Sequence, residues 1–176
     1  MSIKRNFSRK IIPLIALGLF LHSGMALAQS INPKFQAVFI NGVARKFVWS
    51  SANSDFNILI VGNDKPLENE LKKLAADRRI NGKSVKVKMV SEISGSLIED
   101  IVFVSKKGKD KLGSVINSAS DDSIIMSAFD GALNSGSHVN FFLSGNKISF
   151  NLNQTAVNKT KVGVTEDLIK LASSVK

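Results

Sequence analysis

The sequence predicts a single α/β domain in which a largely parallel sheet is flanked by helices and extended by a C-terminal antiparallel hairpin. Short apolar runs alternate with helical patterns through the middle of the chain, which is typical of βαβ units. Near the C-terminus, two segments that alternate apolar and polar residues flank Gly145-Asn146, which indicates a hairpin. No repeat or linker divides the chain after its first 28 residues.

The first 28 residues have the pattern of a secretory signal. Four basic residues among the first ten precede an apolar run at 11–21, and Ala26-Leu27-Ala28 supplies small residues at the cleavage-site spacing. The run is shorter than the roughly 20 apolar residues that cross a bilayer, so an uncleaved anchor is the weaker alternative. We expect a signal peptide at 1–28, cleavage after Ala28 and an exported domain at 29–176.

The charge and cysteine content limit the function classes. The chain has 24 Lys and Arg against 14 Asp and Glu, and four of the basic residues lie in the expected signal. The mature chain of 148 residues therefore has 20 basic and 14 acidic side chains, a net charge of +6. These charges are interleaved rather than clustered, so no nucleic-acid partner is expected. The absence of cysteine excludes disulfides and thiol-based redox control.

The first element predicted for the mature domain is a helix with Asn32 as its N-cap and Pro33 at its first position. Arg45 and Lys46 are expected on its solvated side. We expect its apolar residues, which recur at three- and four-residue spacings, to form a buried stripe. They are Phe35, Val38, Phe39, Val43 and Phe47.

Four strands and two helices are expected next. Residues 56–62 form a β-branched run typical of a strand covered on both faces, and Asp64 can cap the helix that follows. Residues 84–90 alternate strictly, as in a half-exposed strand. Two further apolar strands, at 101–105 and 123–129, are separated by the basic turn KKGKDK and a short helix.

The chain is expected to end in a hairpin and a helix. Val139, Phe141 and Leu143 alternate before the Gly145-Asn146 turn, and a similar alternation follows it. The last helix has Thr165 as its N-cap, and Leu168, Leu171 and Val175 are expected on one of its faces.

The residue types offer little catalytic chemistry. After the signal the chain has one histidine, His138, and the whole chain lacks cysteine and tyrosine, which removes most nucleophile-base pairs and most zinc sites. We therefore predict no catalytic, metal-binding or cofactor-binding residues. Asp121-Asp122 is interpreted as a turn, and His138 as an exposed or hydrogen-bonded residue at a strand end.

Two basic groups are the candidate partner-binding residues. Lys106, Lys107 and Lys109 follow a predicted parallel strand, where α/β proteins commonly bind ligands. Arg45 and Lys46 lie on the exposed side of the first helix. Solvated surface is the favoured interpretation, and an anionic ligand or an acidic protein surface is the functional alternative.

Six segments, in order, resemble the YfiR family of bacterial periplasmic proteins: KFVW, ILIVGND, NGKSVKVK, DIVFVS, FFLSGNKISFNLN and VGVTEDLIKLASSV. The family-matching positions are Phe47, Trp49, Gly62, Phe103, Phe150, Leu152, Asn153, Gly163, Leu168 and Leu171. Three features depart from the family pattern. Ser50 replaces a proline, Gly136-Ser137 replaces a glycine pair, and the family's frequent cysteines, including one near Glu99, are absent.

The resemblance implies a non-enzymatic periplasmic regulator. Family members bind the periplasmic part of an inner-membrane diguanylate cyclase and hold it in a low-activity state. Loss of that contact raises cyclic di-GMP and promotes biofilm formation. Control through a disulfide, suggested for cysteine-bearing members, cannot operate in this chain.

Other assignments stay open from the sequence alone. A second partner in the outer membrane or envelope is compatible with the resemblance, and so is a homodimer. A periplasmic small-ligand sensor or binding module is the alternative function, since it also needs no catalytic residues. A secreted hydrolase is a weaker third class because no base and nucleophile can be paired.

Overall fold

An eight-stranded sheet organises the fold. The computed structural model describes residues 30–176, so the expected signal at 1–28 lies outside the described residues. The strands are β1 (Phe47–Val48), β2 (Asp55–Val61), β3 (Arg79–Ile80), β4 (Lys83–Val90), β5 (Ile101–Val104), β6 (Ile124–Ser127), β7 (Val139–Ser144), β8 (Lys147–Leu152), β9 (Gly163–Val164) and β10 (Ser174–Val175). The helices are α1 (Pro33–Ala44), α2 (Lys65–Asp77), α3 (Leu112–Ser118), α4 (Gln154–Val157) and α5 (Glu166–Leu171), with a 3-10 helix at Lys106–Lys111.

The strand order confirms the predicted fold class. The large sheet has the order β10-β8-β7-β6-β5-β2-β4-β3. The five neighbours β4, β2, β5, β6 and β7 are parallel, and β7 and β8 form the antiparallel hairpin. A separate two-stranded sheet pairs β1 with β9 in antiparallel orientation.

The sheet separates two apolar cores because its central strands are buried on both faces. On one face, Ile58 and Ile60 of β2 pack with residues of α1 and α2. On the other face, Leu59 and Val61 pack with Leu112 and Val115, the buried residues of α3. The mainly apolar composition of β2, β5 and β6 is therefore explained by helices on both sides.

The first helix differs from the prediction in its length and in the face that it buries. It ends at Ala44, and Phe47 lies in β1, where it is buried and pairs with Val164. Phe35, Val38 and Phe39 are 58%, 41% and 36% exposed, so the prediction that they form core is wrong. The buried residues of α1 are Gln36, Ala37, Ile40, Asn41, Val43 and Ala44. Both the exposed and the buried set of residues recur with the helical period. The set with the smaller side chains is the one that packs against the sheet.

The C-terminal segment also differs in part. Thr165 caps α5 as predicted, since its Oγ1 accepts a hydrogen bond from Leu168 N at 3.3 Å. Leu168 is buried, but Leu171 is exposed and ends the helix. Val175 lies in β10 and pairs with Leu152 of the hairpin, so the predicted continuous helical face is wrong.

The predicted caps and turns are present. Asn32 Oδ1 accepts from Lys34 N at 3.0 Å, and Asp64 Oδ1 accepts from Leu67 N at 3.3 Å. Gly145 has a φ of +59° in the hairpin turn, a value that favours glycine. Among residues 30–176, no helix has the length and apolar character needed to span a membrane.

Candidate functional site

The chain path around the sheet creates a cleft at the carboxyl ends of the parallel strands. The connection after β2 runs through α2 to β4, whereas the connection after β5 runs through α3 to β6 on the other side of β2. Ligands of open α/β sheets bind where connections diverge in this way. A cleft of about 670 Å³ lies at this edge, between α1 and the ends of β5, β6 and β7.

The inner part of the cleft is apolar and rich in phenylalanine. Phe103 of β5 and Phe141 of β7 are fully buried and contribute to it. Its other apolar side chains, all partly buried, are Ile31, Ala128, Phe129, Leu133, Phe142 and Leu143. A pocket of this size and lining is within the usual range for small-molecule sites.

Two buried amides interrupt this apolar surface. Gln36 of α1 and Asn140 of β7 are only 6% and 9% exposed. Asn140 Oδ1 accepts hydrogen bonds from Ser127 Oγ at 2.8 Å and from Phe129 N at 3.2 Å, which fixes the orientation of the amide. Within the part of the chain that the structure describes, the NH₂ group of Asn140 and the amide of Gln36 make no hydrogen bond to protein atoms, but neither is fully enclosed, so both can bond to water in the cleft.

The charged lining residues do not favour one sign. Lys106 contributes a positive charge, and Asp64 and Asp130 contribute two carboxylates. Asp64 is also the N-cap of α2, so one of its oxygens is already a hydrogen-bond acceptor. The cleft therefore lacks the clustered positive charge of an anion site.

The structure does not bring together the two basic groups predicted to bind a partner. Lys106, Lys107 and Lys109 are exposed on the 3-10 helix, and only Lys106 also lines the cleft. Arg45 is exposed just after α1, and Lys46 forms an ion pair with Asp167 at 3.4 Å. Neither arrangement identifies a bound partner, so both groups stay predictions.

Lys111, also in the basic turn, has a structural role. Its Nζ lies 3.0 Å from Glu92 Oε1 and 3.7 Å from Asp110 Oδ2. The hydrogen bond from Lys111 to Glu92 raises the pKa of this lysine. It links the 3-10 helix to the loop after β4.

His138 is a buried structural residue. It is 8% exposed, and its Nδ1 accepts a hydrogen bond from Ile125 N at 3.0 Å. Burial lowers the pKa of His138 to about 4, so the ring is neutral at physiological pH. Asp121-Asp122 forms a turn, as predicted. The described residues contain no cluster of three or more His, Cys, Asp or Glu side chains that could hold a metal ion.

The aromatic residues shared with the family pattern surround the end of α1. Trp49 Nε1 donates to Ala44 O at 2.7 Å, and the indole packs edge-on against Phe56 at 4.8 Å between ring centroids. Phe47 lies 5.6 Å from Trp49 by the same measure. These contacts fix where the chain leaves α1 and enters the sheet.

Several of the remaining family-matching residues lie in the core, whereas Leu171 is exposed at the end of α5. Phe150 packs against Phe141, with ring centroids 6.3 Å apart, and Phe103 and Leu168 are buried. Asn153 Oδ1 accepts from Ala156 N at 3.0 Å at the start of α4. Gly163 of β9 lies so close to Val48 that a Cβ at position 163 would be 3.1 Å from Val48 Cβ.

The departures from the family pattern have local partners. Ser50, in place of proline, donates from its Oγ to Asp122 Oδ1 at 2.8 Å. Ser137, in place of the second glycine, is fully buried, and its Oγ lies 2.8 Å from Ser127 Oγ. Both hydroxyls are therefore hydrogen-bonded in the folded chain.

Sequence reasoning missed Gln36 and Asn140 as site residues. Gln36, Ile40 and Val43 lie at i, i+4 and i+7, so the buried face of α1 could have been recognised from this second stripe. Asn140 carries a weaker signal, a polar side chain between Val139 and Phe141 in an otherwise apolar strand.

Comparison with known proteins gives one family, and solved structures with similar folds include the two described next. A family model described as YfiR/HmsC-like matches residues 33–173. A conserved domain protein from Vibrio cholerae O1 biovar El Tor N16961 has a TM-score of 0.57 at 12% identity, and the match covers 82% of this chain and 60% of that one. The ABC domain in complex with L-Trp from Streptococcus pneumonia has a TM-score of 0.52 at 10% identity, with the same coverages. This chain thus spans about three-fifths of each structure, and at such identities the likeness shows the fold alone. No curated protein sequence matches the chain.

Proposed function

The chain belongs to the YfiR/HmsC-like family, and from this we propose that it is a periplasmic, non-enzymatic repressor of an inner-membrane diguanylate cyclase. Family membership indicates a regulatory role in the periplasm. The proposal adds that the protein binds the periplasmic part of the cyclase and lowers cyclic di-GMP signalling and biofilm formation. The observation that carries it is the family match, which runs from the first residue of α1 to the residue before β10.

Repression of this kind requires a difference in affinity between two cyclase conformations. A regulator that binds the inactive conformation more tightly shifts the population toward it, and equal affinity shifts nothing. A tenfold preference corresponds to about 1.4 kcal/mol. No chemistry in the regulator is needed.

The exposed apolar residues of α1 are the surface that best fits a protein partner. Phe35, Val38 and Phe39, which we call the α1 stripe, are exposed on one face of the helix at i, i+3 and i+4. Gly42 continues this face, and a Cβ built there meets nothing within 4 Å. Helices that dock into a groove use apolar anchors at these spacings. We assign the α1 stripe to the periplasmic domain of the cyclase.

The basic residues are proposed to steer the same partner from two separate positions on the surface. Arg45 follows α1 directly, and Lys106, Lys107 and Lys109 are exposed on the 3-10 helix. Exposed basic groups steer association with an acidic partner and make its rate depend on salt. Lys46 would exchange its ion pair with Asp167 for one with the partner.

Capture from membranes tests the proposal directly. The mature chain and a Phe35→Ser/Phe39→Ser variant are immobilised, and bound membrane proteins are identified. We expect the unaltered chain, but not the variant, to retain a transmembrane protein with a diguanylate cyclase domain. Deletion of the gene should raise cyclic di-GMP, and only the unaltered chain should restore the low level. Recovery of no cyclase, together with unchanged cyclic di-GMP after deletion, would show the proposal to be wrong.

A periplasmic small-ligand sensor or binding module is the second candidate function, and the 670 Å³ cleft favours it. A defined small molecule that raises the melting temperature, with no protein partner recovered, would support this alternative.

A further inference from the structure

We propose that the cleft between α1 and the carboxyl ends of β5, β6 and β7 binds a small neutral molecule that combines a flat apolar ring with a carboxamide-like group. The proposal concerns the cleft alone, so it holds or fails whether or not a cyclase partner is found. It rests on the two buried amides, the aromatic floor and the balance of charge at the mouth.

The amides define the polar part of the ligand. Gln36 of α1 and Asn140 of β7 both line the cleft, and both are more than nine-tenths buried. A ligand group at these amides replaces water, so it binds well only if it matches their donors and acceptors. Asn140 offers its NH₂ as a donor because its Oδ1 is engaged by Ser127 and Phe129. Gln36 offers both a donor and an acceptor.

The orientation of Asn140 is fixed before any ligand binds. Ser127 Oγ, which bonds Asn140 Oδ1, is itself 2.8 Å from Ser137 Oγ, and all three residues are buried. A preorganised donor binds without the loss of side-chain entropy that a flexible one would incur. The network thus gives a reason for three polar residues in an otherwise apolar layer.

The aromatic and charged residues of the cleft define the rest of the ligand. Phe129 and Phe142, both partly buried, offer aromatic surface, against which a flat ring packs. At the mouth, one ammonium group, that of Lys106, is opposed by the carboxylates of Asp64 and Asp130. An anion therefore gains no net electrostatic attraction, and a neutral group is favoured over a carboxylate.

Benzamide, benzoate and toluene are suitable probes because they share a ring and differ in the polar group. Each is titrated into the ¹⁵N-labelled mature chain, and the side-chain NH₂ signals of Gln36 and Asn140 are followed by NMR. Benzamide should produce saturable shifts of both signals, with weaker binding of benzoate and toluene. The NH₂ signal of Asn41 is the internal control, since this amide is equally buried on α1 but does not line the cleft.

The Gln36→Leu variant supplies the second measurement. It keeps the side-chain volume and removes the amide, so benzamide should bind about three- to tenfold more weakly, which corresponds to one neutral hydrogen bond, while toluene binding should not fall. Unchanged benzamide affinity in this variant would overturn the proposal. Benzamide binding without shifts at Gln36 and Asn140 would also overturn it. This second test uses the unaltered chain, so it does not depend on whether the variant folds.

Discussion

Gly62 and Gly108 approach each other so closely that neither position has room for a side chain. A Cβ on Gly62 would lie 2.5 Å from Gly108 N, and one on Gly108 would lie 2.5 Å from Val61 O. Gly62 also has a φ of +98°, which L-residues rarely adopt. The contact joins the end of β2 to the 3-10 helix after β5, so it gives the family-matching glycine a steric reason.

We predict that Gly62→Ala lowers the free energy of unfolding by about 3 kcal/mol, because it adds a clash with backbone to an unfavourable φ. Urea unfolding followed by the fluorescence of Trp49, the only tryptophan, measures this change. Gly145→Ala is the matched control, since Gly145 has a φ of +59° but open space around it. The control should cost about 1 to 2 kcal/mol. Equal losses for the two variants would show that the packing of Gly62 against Gly108 does not matter.

A second prediction concerns Asn153, which connects two parts of the chain. Its Oδ1 caps α4 at Ala156 N, and its Nδ2 donates to Leu133 O at 3.3 Å. Asn153→Ala should cost about 2 kcal/mol, roughly half from the cap and half from the second hydrogen bond. Asn153→Ser keeps a capping hydroxyl but is too short to reach Leu133, so it should cost about 1 kcal/mol. Chemical denaturation distinguishes the two, and an Asn153→Ser variant as unstable as Asn153→Ala would show that the cap contributes nothing.

The sheet could be predicted from the sequence because its signals are local. The run that became β5 is apolar throughout, those of β2 and β6 are mainly apolar, and the hairpin turn carries Gly145 with a positive φ. The buried face of α1 was harder to predict from the sequence. Phe35 and Phe39 are more apolar than Ala37 and Ala44, yet the alanines lie against the sheet, because packing geometry overrides side-chain hydrophobicity there.

The cleft and the last strand depend on contacts that are distant in sequence. Gln36, Phe103 and Asn140 come from three separate elements, so no local pattern relates them. β10 exists because Ser174 and Val175 pair with Asn151 and Leu152, although the preceding segment has a helical pattern. The basic turn, Lys106–Lys111, could be placed at the end of β5 from the sequence, but its role could not be predicted.

A third prediction concerns pH. Burial lowers the pKa of His138 from 6.5 to about 4, so the unfolded chain binds a proton more readily than the folded chain between these values. Stability is therefore fully present above pH 6.5 and falls as the pH drops toward 4, by about 3 kcal/mol in total. His138 is the only histidine after residue 28, so it should dominate the change between pH 6.5 and 5.

His138→Asn is the variant that tests this dependence. The amide oxygen can replace Nδ1 as the acceptor for Ile125 N, and the new side chain does not titrate. Its free energy of unfolding should change little between pH 6.5 and 5, whereas that of the unaltered chain should fall by about 2 kcal/mol. If both proteins lost the same stability over this interval, the titration of His138 would not be the cause.

A fourth prediction concerns the basic turn, Lys106–Lys111, as part of the proposed interface. Replacing Lys106, Lys107 and Lys109 with glutamate should weaken binding to the captured cyclase, with a larger loss at low salt than at high salt. The fold should be unaffected, since all three side chains are exposed. Lys86→Glu/Lys88→Glu is the control, because these lysines are exposed on β4 and outside the proposed surface. Binding that is insensitive to the loop charges, or equally sensitive to both variants, would remove the loop from the interface.

The final prediction concerns the two faces of α1. Phe35→Ala and Phe39→Ala should each change the free energy of unfolding by less than about 1 kcal/mol, because these side chains already contact solvent in the folded chain. Ile40→Ala should cost about 2 to 5 kcal/mol, since Ile40 is fully buried and its truncation leaves a cavity under the helix. Urea denaturation of the three variants compares them directly. A loss for Phe39→Ala as large as that for Ile40→Ala would place the aromatic face in the core and would remove the α1 stripe as a surface available to the cyclase.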